Sequence, residues 1–422
     1  MAITLRPVGA PTGPGAPTLG AVSAPTSDDG RDGARHDGDP AALRRALAGL
    51  SGTDPADWHL VGKVQHALLV VLRAVARQSG PGEAVVQPFA PVSALAPVVS
   101  AGLRPSWADV DRDTLSMDPA TVPRALTPTT RALVARHTFG PAAPLARLRG
   151  FLPQDVLLVE DSSHCLGHLA RGEDGEPVAD VSVHDLGHAL TLPTRSGAAV
   201  WVDPALRGGP WHRVLSAALA TLPPAGRRKA VAGAVGAPVL RAARRLGAAG
   251  SRALTLAAST GLLDLALLPS ERAGRVAGEP TLLPTAVLEE TLHHLPRTEE
   301  WTAHRRSTAA VYRDGLAGLT GITVPRLLED PKLALVRYPV LLDGPDRAGA
   351  VVAALRSEGV PADRWYSPTL FPGPTDPAAF SYDPSGSPVA EDVSRRVVTL
   401  QTAPFVTAGA AARAVQVVRS HL

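Results

Sequence analysis

Three stretches of this chain, EAVVQPF (83–89), TRALVARHTFG (130–140) and DVLLVED (155–161), carry runs of consecutive apolar residues, and a shorter one, VSV, begins at 181. A strand with one wet face alternates apolar and polar side chains, whereas a strand that is apolar throughout is covered on both sides. Helical spacing fills the chain between them, at GKVQHALLVVLRAVAR (62–77), at VSALAPVVSAG (92–102, stopped by Gly102) and at PLARLRGFL (144–152). A further strand is expected over RPSWADVD (104–111). Strands buried on both faces and separated by helices leave few arrangements open. The pattern predicts an α/β fold with a large, mostly parallel mixed sheet between helices.

The flanks divide the chain further. Residues 1–40 are rich in Pro, Gly, Ala and Asp without periodicity, a composition that cannot offset its own ordering entropy, and are expected to form a flexible tail. Asp39 stands before Pro40 as a helix cap. The large domain is expected over 41–330. It closes with AVLEETLHHLPRTEEWTAHRRSTAAVYRDGLAGL (286–319), one or two long amphipathic helices. A small α+β domain is expected over 331–422, with the strand LALVRYPVLL, the helix RAGAVVAALRSEG, a loop around DRWYSPTLFPG and the closing helix TAGAAARAVQVVRSHL.

Charge narrows the partners. The net charge is only +3 and the basic residues are scattered. RRK (227–229) and RAARR (241–245) read as solvated helix faces, so no nucleic-acid stripe is expected. The single cysteine, Cys165, rules out an internal disulfide framework and any Cys-ligated cluster. With no leader-like start and no uninterrupted apolar run of about 18 residues, a cytoplasmic protein without membrane contact is expected. Among the 42 basic residues only Lys63, Lys229 and Lys332 are lysines.

In their order along residues 60–420, several segments resemble the DegT/DnrJ/EryC1/StrS sugar aminotransferase-like family, pyridoxal-phosphate proteins of fold type I. GEAVVQPFAPVSALAPVVSAGLRPSWADVDRDTLSMDP resembles the family's strand, helix and "aG..P.f.DvD..t...dp" passage. ALVARHTFGPAAPLARL is similar to "a.v.vh.fG...d...i", and VLLVEDSSHCLG to "viEDaAqa.G". Arg305, Ala309, Tyr312 and Leu316 carry an R-x3-A-x2-Y-x3-L spacing. SEGVPADRWYSP resembles "GI....wy.pl", and SPVAEDVSRRVVTLQTAPFVT resembles "p.ae....rvl.LP.hp.lt".

The resemblance implies site residues. Asp161 would sit beside the pyridine nitrogen and keep it protonated, which makes the ring an electron sink. Read alone, Asp161 before Ser162 and Ser163 is also a helix cap. His164 would lie near the ring hydroxyl and Ser182 at the phosphate, where hydroxyls and amides suit an anion. A homodimer with its site at the interface, and a nucleotide-linked keto sugar as the small-molecule ligand, are implied as well.

One residue is missing. The family's Schiff-base lysine falls within SVHDLGHALTLP, patterned "sf...K.l..p.GG", yet no lysine occurs between 64 and 228. His188 is the best positional match, with Gly187 the alternative if the register shifts, and imidazole cannot form the covalent imine. VGKVQHALLVV lacks the usual hydroxyl run, and Lys63 there reads as a solvated helix-start lysine rather than a compensating cation; Val92 stands near the place of a stacking aromatic, and Ser196-Gly197 replaces Gly-Gly.

Two readings follow. In the preferred one the chain is a degenerate or repurposed member in sugar or natural-product biosynthesis. It binds no cofactor and serves as a binding partner, including in a heterodimer with an active paralogue, or uses His164, His184, Asp185 and His188 for other chemistry. No third ligand supports a metal at HDLGH. In the alternative, pyridoxal or pyridoxamine phosphate is held non-covalently and His188 is the acid and base of a ketosugar 3-dehydratase.

Overall fold

Asp39 caps the first helix as its place before Pro40 predicts, its carboxylate accepting the Ala41 amide at 2.8 Å. The computed structural model describes residues 38–141, 143–187, 190–194, 196–226 and 267–422. The tail through residue 37, the basic runs at 227–229 and 241–245, Lys229 and His188 lie outside the described residues.

The first part of the chain builds α1 (Pro40–Ser51), β1 (Trp58–Val61), α2 (Val64–Ser79), β2 (Gly82–Val86), β3 (Ala90–Pro91) and α3 (Val92–Ser100). It continues through β4 (Leu103–Trp107), α4 (Val122–Ala125), β5 (Thr130–Arg136), α5 (Leu145–Arg149), β6 (Leu157–Asp161), β7 (Val181–Asp185), β8 (Ala198–Val202) and α6 (Pro210–Ala220). Seven strands form one sheet in the order β1-β8-β7-β6-β5-β2-β4. The run from β4 to β7 is parallel, while β8 is antiparallel to both β7 and β1.

Both faces of the sheet are dry, as the apolar runs require. Val134, Val159, Val181 and Val183 pack with Leu68, Val71 and Val75 of α2. On the other face Val85, Leu133, Ala135 and Leu158 pack with Leu145, Leu148 and Met117. The fold class is therefore the one expected: α/β, with a mostly parallel mixed sheet.

Three details differ from the sequence reading. WHLV and AAVWV become the antiparallel strands β1 and β8, which pair over more than 130 residues of intervening chain, so neither run shows its partner locally. The strand expected over 104–111 stops at Trp107. Asp109 ends it by binding across space, its carboxylate accepting the amides of Val389 and Ala390 at 2.8 and 2.9 Å. Pro40, the last residue counted with the tail, is the first residue of α1, as the cap at Asp39 implies.

The later chain forms α7 (Thr285–His294), α8 (Thr298–Leu316), β9 (Ile322–Thr323), β10 (Arg337–Leu342), α9 (Pro345–Ser357), β11 (Ala362–Asp363) and β12 (Leu370–Phe371). It ends with α10 (Pro388–Arg396), β13 (Val397–Gln401) and α11 (Ala408–Ser420). A second, antiparallel sheet has the order β11-β13-β10-β9. Its core takes in Phe89 and Phe139 from loops of the large sheet, so the two layers meet through aromatic side chains. No helix of the described residues is long and apolar enough to cross a membrane.

Candidate functional site

Ligands of open parallel sheets meet the carboxyl ends of the strands. At that edge β5 and β6 end together, with Arg136 directly opposite Asp161 in register. Their side chains share a face, and the guanidinium Nη1 is bound to the Asp161 Oδ2 with both groups buried. The other oxygen, Oδ1, accepts the Ser163 amide at 3.0 Å and the Ser163 hydroxyl. The cap-like contact read from Asp161-Ser162-Ser163 is thus present, although no helix follows it.

Arg136 reaches further. Its Nη2 lies 3.0 Å from the Nε2 of His164, whose Nδ1 accepts the Phe139 amide at 2.9 Å. Both imidazole nitrogens therefore face N–H groups. Burial, followed by the charge of Arg136, pushes the pKa of His164 well below its ordinary value. Burial opposes the charge on Arg136, but Asp161 and the Tyr366 hydroxyl outweigh it and raise the pKa.

Above this base the aromatic rings form a continuous column. Phe139 stacks on His164 at 6.1 Å and 7°, Tyr366 on Phe139 at 5.8 Å and 18°, and Trp365 on Tyr366 at 5.6 Å and 8°. Arg337 covers the column with its guanidinium carbon 4.4 Å from the Trp365 ring centre. All of these side chains are buried or nearly so.

Ser182 is placed elsewhere. It pairs with Glu160, not Asp161, and so lies on the opposite face of the sheet. There its hydroxyl sits 3.0 Å from the His184 Nε2. His137 donates from Nε2 to Glu160 at 2.9 Å while its Nδ1 accepts the Ala143 amide at 3.0 Å. His137, Glu160 and His168 are close enough to surround an ion. Those two hydrogen bonds place the imidazole proton on Nε2, while the second oxygen of Glu160, Oε2, is buried without a hydrogen-bond partner among the described residues. Burial takes His168 and His184 down to about 4. Burial acts against the charge of Glu160, yet bonds from His137 and Ser182 take it down to about 2.

The loop read as a lysine loop begins and ends in close backbone contact. The Leu186 amide donates to the Gly197 carbonyl at 3.0 Å, and a Cβ on Gly187 would lie 2.7 Å from the Ser196 backbone. Gly197 adopts φ +115°, with a Cβ there meeting Leu283 at 2.9 Å. Gly187→Ala is expected to cost about 1–3 kcal/mol in urea unfolding; an unchanged midpoint would show that the two limbs can part freely. At the start of α2 the Gly62 amide donates to Thr281 at 2.9 Å, so residues 281–282 lie against the segment that lacks the hydroxyl run.

A pyridine ring fits these residues poorly. A protonated ring nitrogen needs a carboxylate oxygen turned toward it; Oδ1 of Asp161 already takes both Ser163 bonds, and at Oδ2 the ring would have to share the charge with the Arg136 guanidinium. Arg136 is the residue that sequence reasoning passed over. The signal was present, because the quoted family pattern has an apolar "v" where this chain has arginine.

The seven-stranded layered sheet with the second, antiparallel sheet against it has the fold of the pyridoxal-phosphate-dependent transferases of fold type I. Solved structures share it over 90% of this chain: the sugar aminotransferase CalS13 from Micromonospora echinospora (TM-score 0.67, 23% identity, 91% of its chain) and S. venezuelae DesV, solved with a ketimine intermediate (0.66, 22%, 89% of its chain). The chain belongs to the DegT/DnrJ/EryC1/StrS aminotransferase family, whose model matches residues 61–188 and 286–419. It is 27% identical over 359 residues to the dTDP-3-amino-3,4,6-trideoxy-alpha-D-glucose transaminase of Streptomyces venezuelae, covering 84% of this chain and 79% of the relative. It is 32% identical over 130 residues to the L-glutamine:2-deoxy-scyllo-inosose aminotransferase of Streptomyces kanamyceticus, a match spanning only 30% of either protein.

Proposed function

We propose that this chain is a repurposed member of its family that performs no transamination. Its role is to bind a sugar-type small molecule in natural-product biosynthesis, as a homodimer or beside an active paralogue. The observation that carries the reading is Arg136. It neutralises Asp161 from within the protein, in the place where the family's cofactor would present a cationic ring nitrogen. The loss of lysine from 64–228 removes the covalent anchor as well. Two independent requirements of the family's chemistry are altered together, one at each end of the cofactor ring. His188 remains the positional substitute for the lysine, and His164 is held neutral beside Arg136, without the second proton an acid would deliver.

The test is retention of cofactor. Purified protein is mixed with pyridoxal or pyridoxamine phosphate, desalted, and scanned through the near ultraviolet and visible. The expected result is no retained chromophore. Arg136→Val combined with His188→Lys restores a free carboxylate and an amine, and is expected to gain an imine band near roughly 420 nm. A chromophore retained by the unaltered protein, and lost in Asp161→Ala, would overturn the proposal in favour of non-covalent cofactor chemistry with His188 as base.

A further inference from the structure

Two more arginines are buried close to this column, and among the described residues neither pairs with a carboxylate. Arg305 rises from α8 and donates from Nη2 to the Leu190 carbonyl and from Nη1 to the Thr402 hydroxyl at 3.3 Å. Arg337, opposite Gln401 on β10, donates from Nη1 to the Val336 carbonyl at 2.8 Å. Its Nε is buried and has no hydrogen-bond partner among the described residues. Among the described residues neither arginine forms an ion pair. Asp363, the acidic group that acts on Arg337, already pairs with Arg356 at 3.0 Å.

The charge balance is therefore open. Arg136, Arg305 and Arg337 all act on His164, and Asp161 answers only the first. Burial, followed by the repulsion of Arg337, takes Arg305 down to about 9, still protonated at neutral pH. Buried charges of this kind are paired or carry a strong penalty. Carbonyls and a hydroxyl hold the two guanidiniums in place without neutralising them.

The orientation of Arg337 defines what could complete the site. Trp365 covers one face of the guanidinium and Val336 takes Nη1, which leaves the in-plane edge formed by Nε and Nη2. That edge offers two parallel N–H bonds, the geometry that matches two oxygens on one carbon or phosphorus. We propose that Arg305 and Arg337 form the seat of a small oxyanion, a carboxylate or phosphoryl group, bound side-on by Arg337 and neutralised by both. The seat borders the loop of residues 186–197 through Leu190. It does not depend on the cofactor reading, because neither arginine is bonded to Asp161.

The experiment uses the full-length protein, followed by thermal unfolding and calorimetric titration with sodium succinate, inorganic phosphate and pyridoxal phosphate, each against sodium chloride at matched ionic strength. At least one oxyanion is expected to raise Tm by about 2–4 °C at saturation. A response to succinate alone identifies a carboxylate, and one to phosphate or pyridoxal phosphate identifies a phosphoryl group. Arg337→Lys keeps the charge but loses the fork, and is expected to weaken binding by about tenfold or more. Arg337→Met should abolish it, and should itself melt no lower than the unaltered protein without anion, since an unpaired buried charge has gone. The proposal is overturned if no probe acts beyond chloride. It is equally overturned if the Arg337→Lys and Arg305→Gln proteins keep the full response, which would assign the effect to another part of the molecule.

Discussion

Replacing Arg136 with methionine is expected to lower the unfolding free energy by about 3–5 kcal/mol, one of the largest single effects available in this protein. The side chain is 7% exposed and its partner Asp161 only 2%. Removing one member leaves a carboxylate out of water with only the Ser163 contacts to hold it. Asp161→Asn should cost a comparable amount for the mirrored reason, an uncompensated guanidinium beside His164. The double variant should recover most of either loss, because two neutral groups need no counter-charge. Urea unfolding of all four proteins at pH 7 gives the coupling directly. Simple addition of the two single losses would mean that the pair is not a unit.

Acid should weaken the fold well above the usual carboxylate range. His168 and His184 titrate at about 4 in the folded protein because burial disfavours their charged forms. In the unfolded chain a histidine titrates near 6.5. The unfolded state therefore takes up protons first, and stability present above about pH 6.5 is lost as pH falls toward 4. The loss is about 2–3 kcal/mol for each ring by pH 4. Glu160 extends the same trend. Its folded value of about 2 lies below an unfolded value near 4.3, so its contribution disappears as pH drops through that lower window. Urea midpoints at pH 7, 5.5 and 4.5 should decline at every step. In His184→Gln the slope between pH 6.5 and 4 should be shallower; equal slopes would show that this ring is not one of the titrating groups.

Much of the architecture is legible in the residues because it depends on local pattern. Consecutive apolar side chains at 83–89, 130–140 and 155–161 require cover on two faces, and the intervening helices supply it. Asp39 before Pro40 marks the start of α1 by short-range bonding. The strands β1 and β8 were less visible. Each gains its hydrogen bonds from a strand distant in sequence, and a short apolar run does not reveal its partner.

The candidate site divides in the same way. Asp161 and His164 come together because they are three positions apart at the end of one strand, and the structure sets both around Arg136. Ser182 is directed away, since the two-residue alternation of β7 gives it the face of Glu160 rather than that of Asp161. His188 lies outside the described residues.

From sequence alone the chain was determined to be a fold type I relative without lysine between 64 and 228, since the order of its motifs and the absence of one residue type need no coordinates. Only the tertiary structure decided that Asp161 is closed by Arg136 and that Arg305 and Arg337 have no counter-charge among the described residues. Those facts depend on which side chains meet across strands and layers. A buried ion forms or is missed over a few ångströms of space, whatever number of residues lies between its partners.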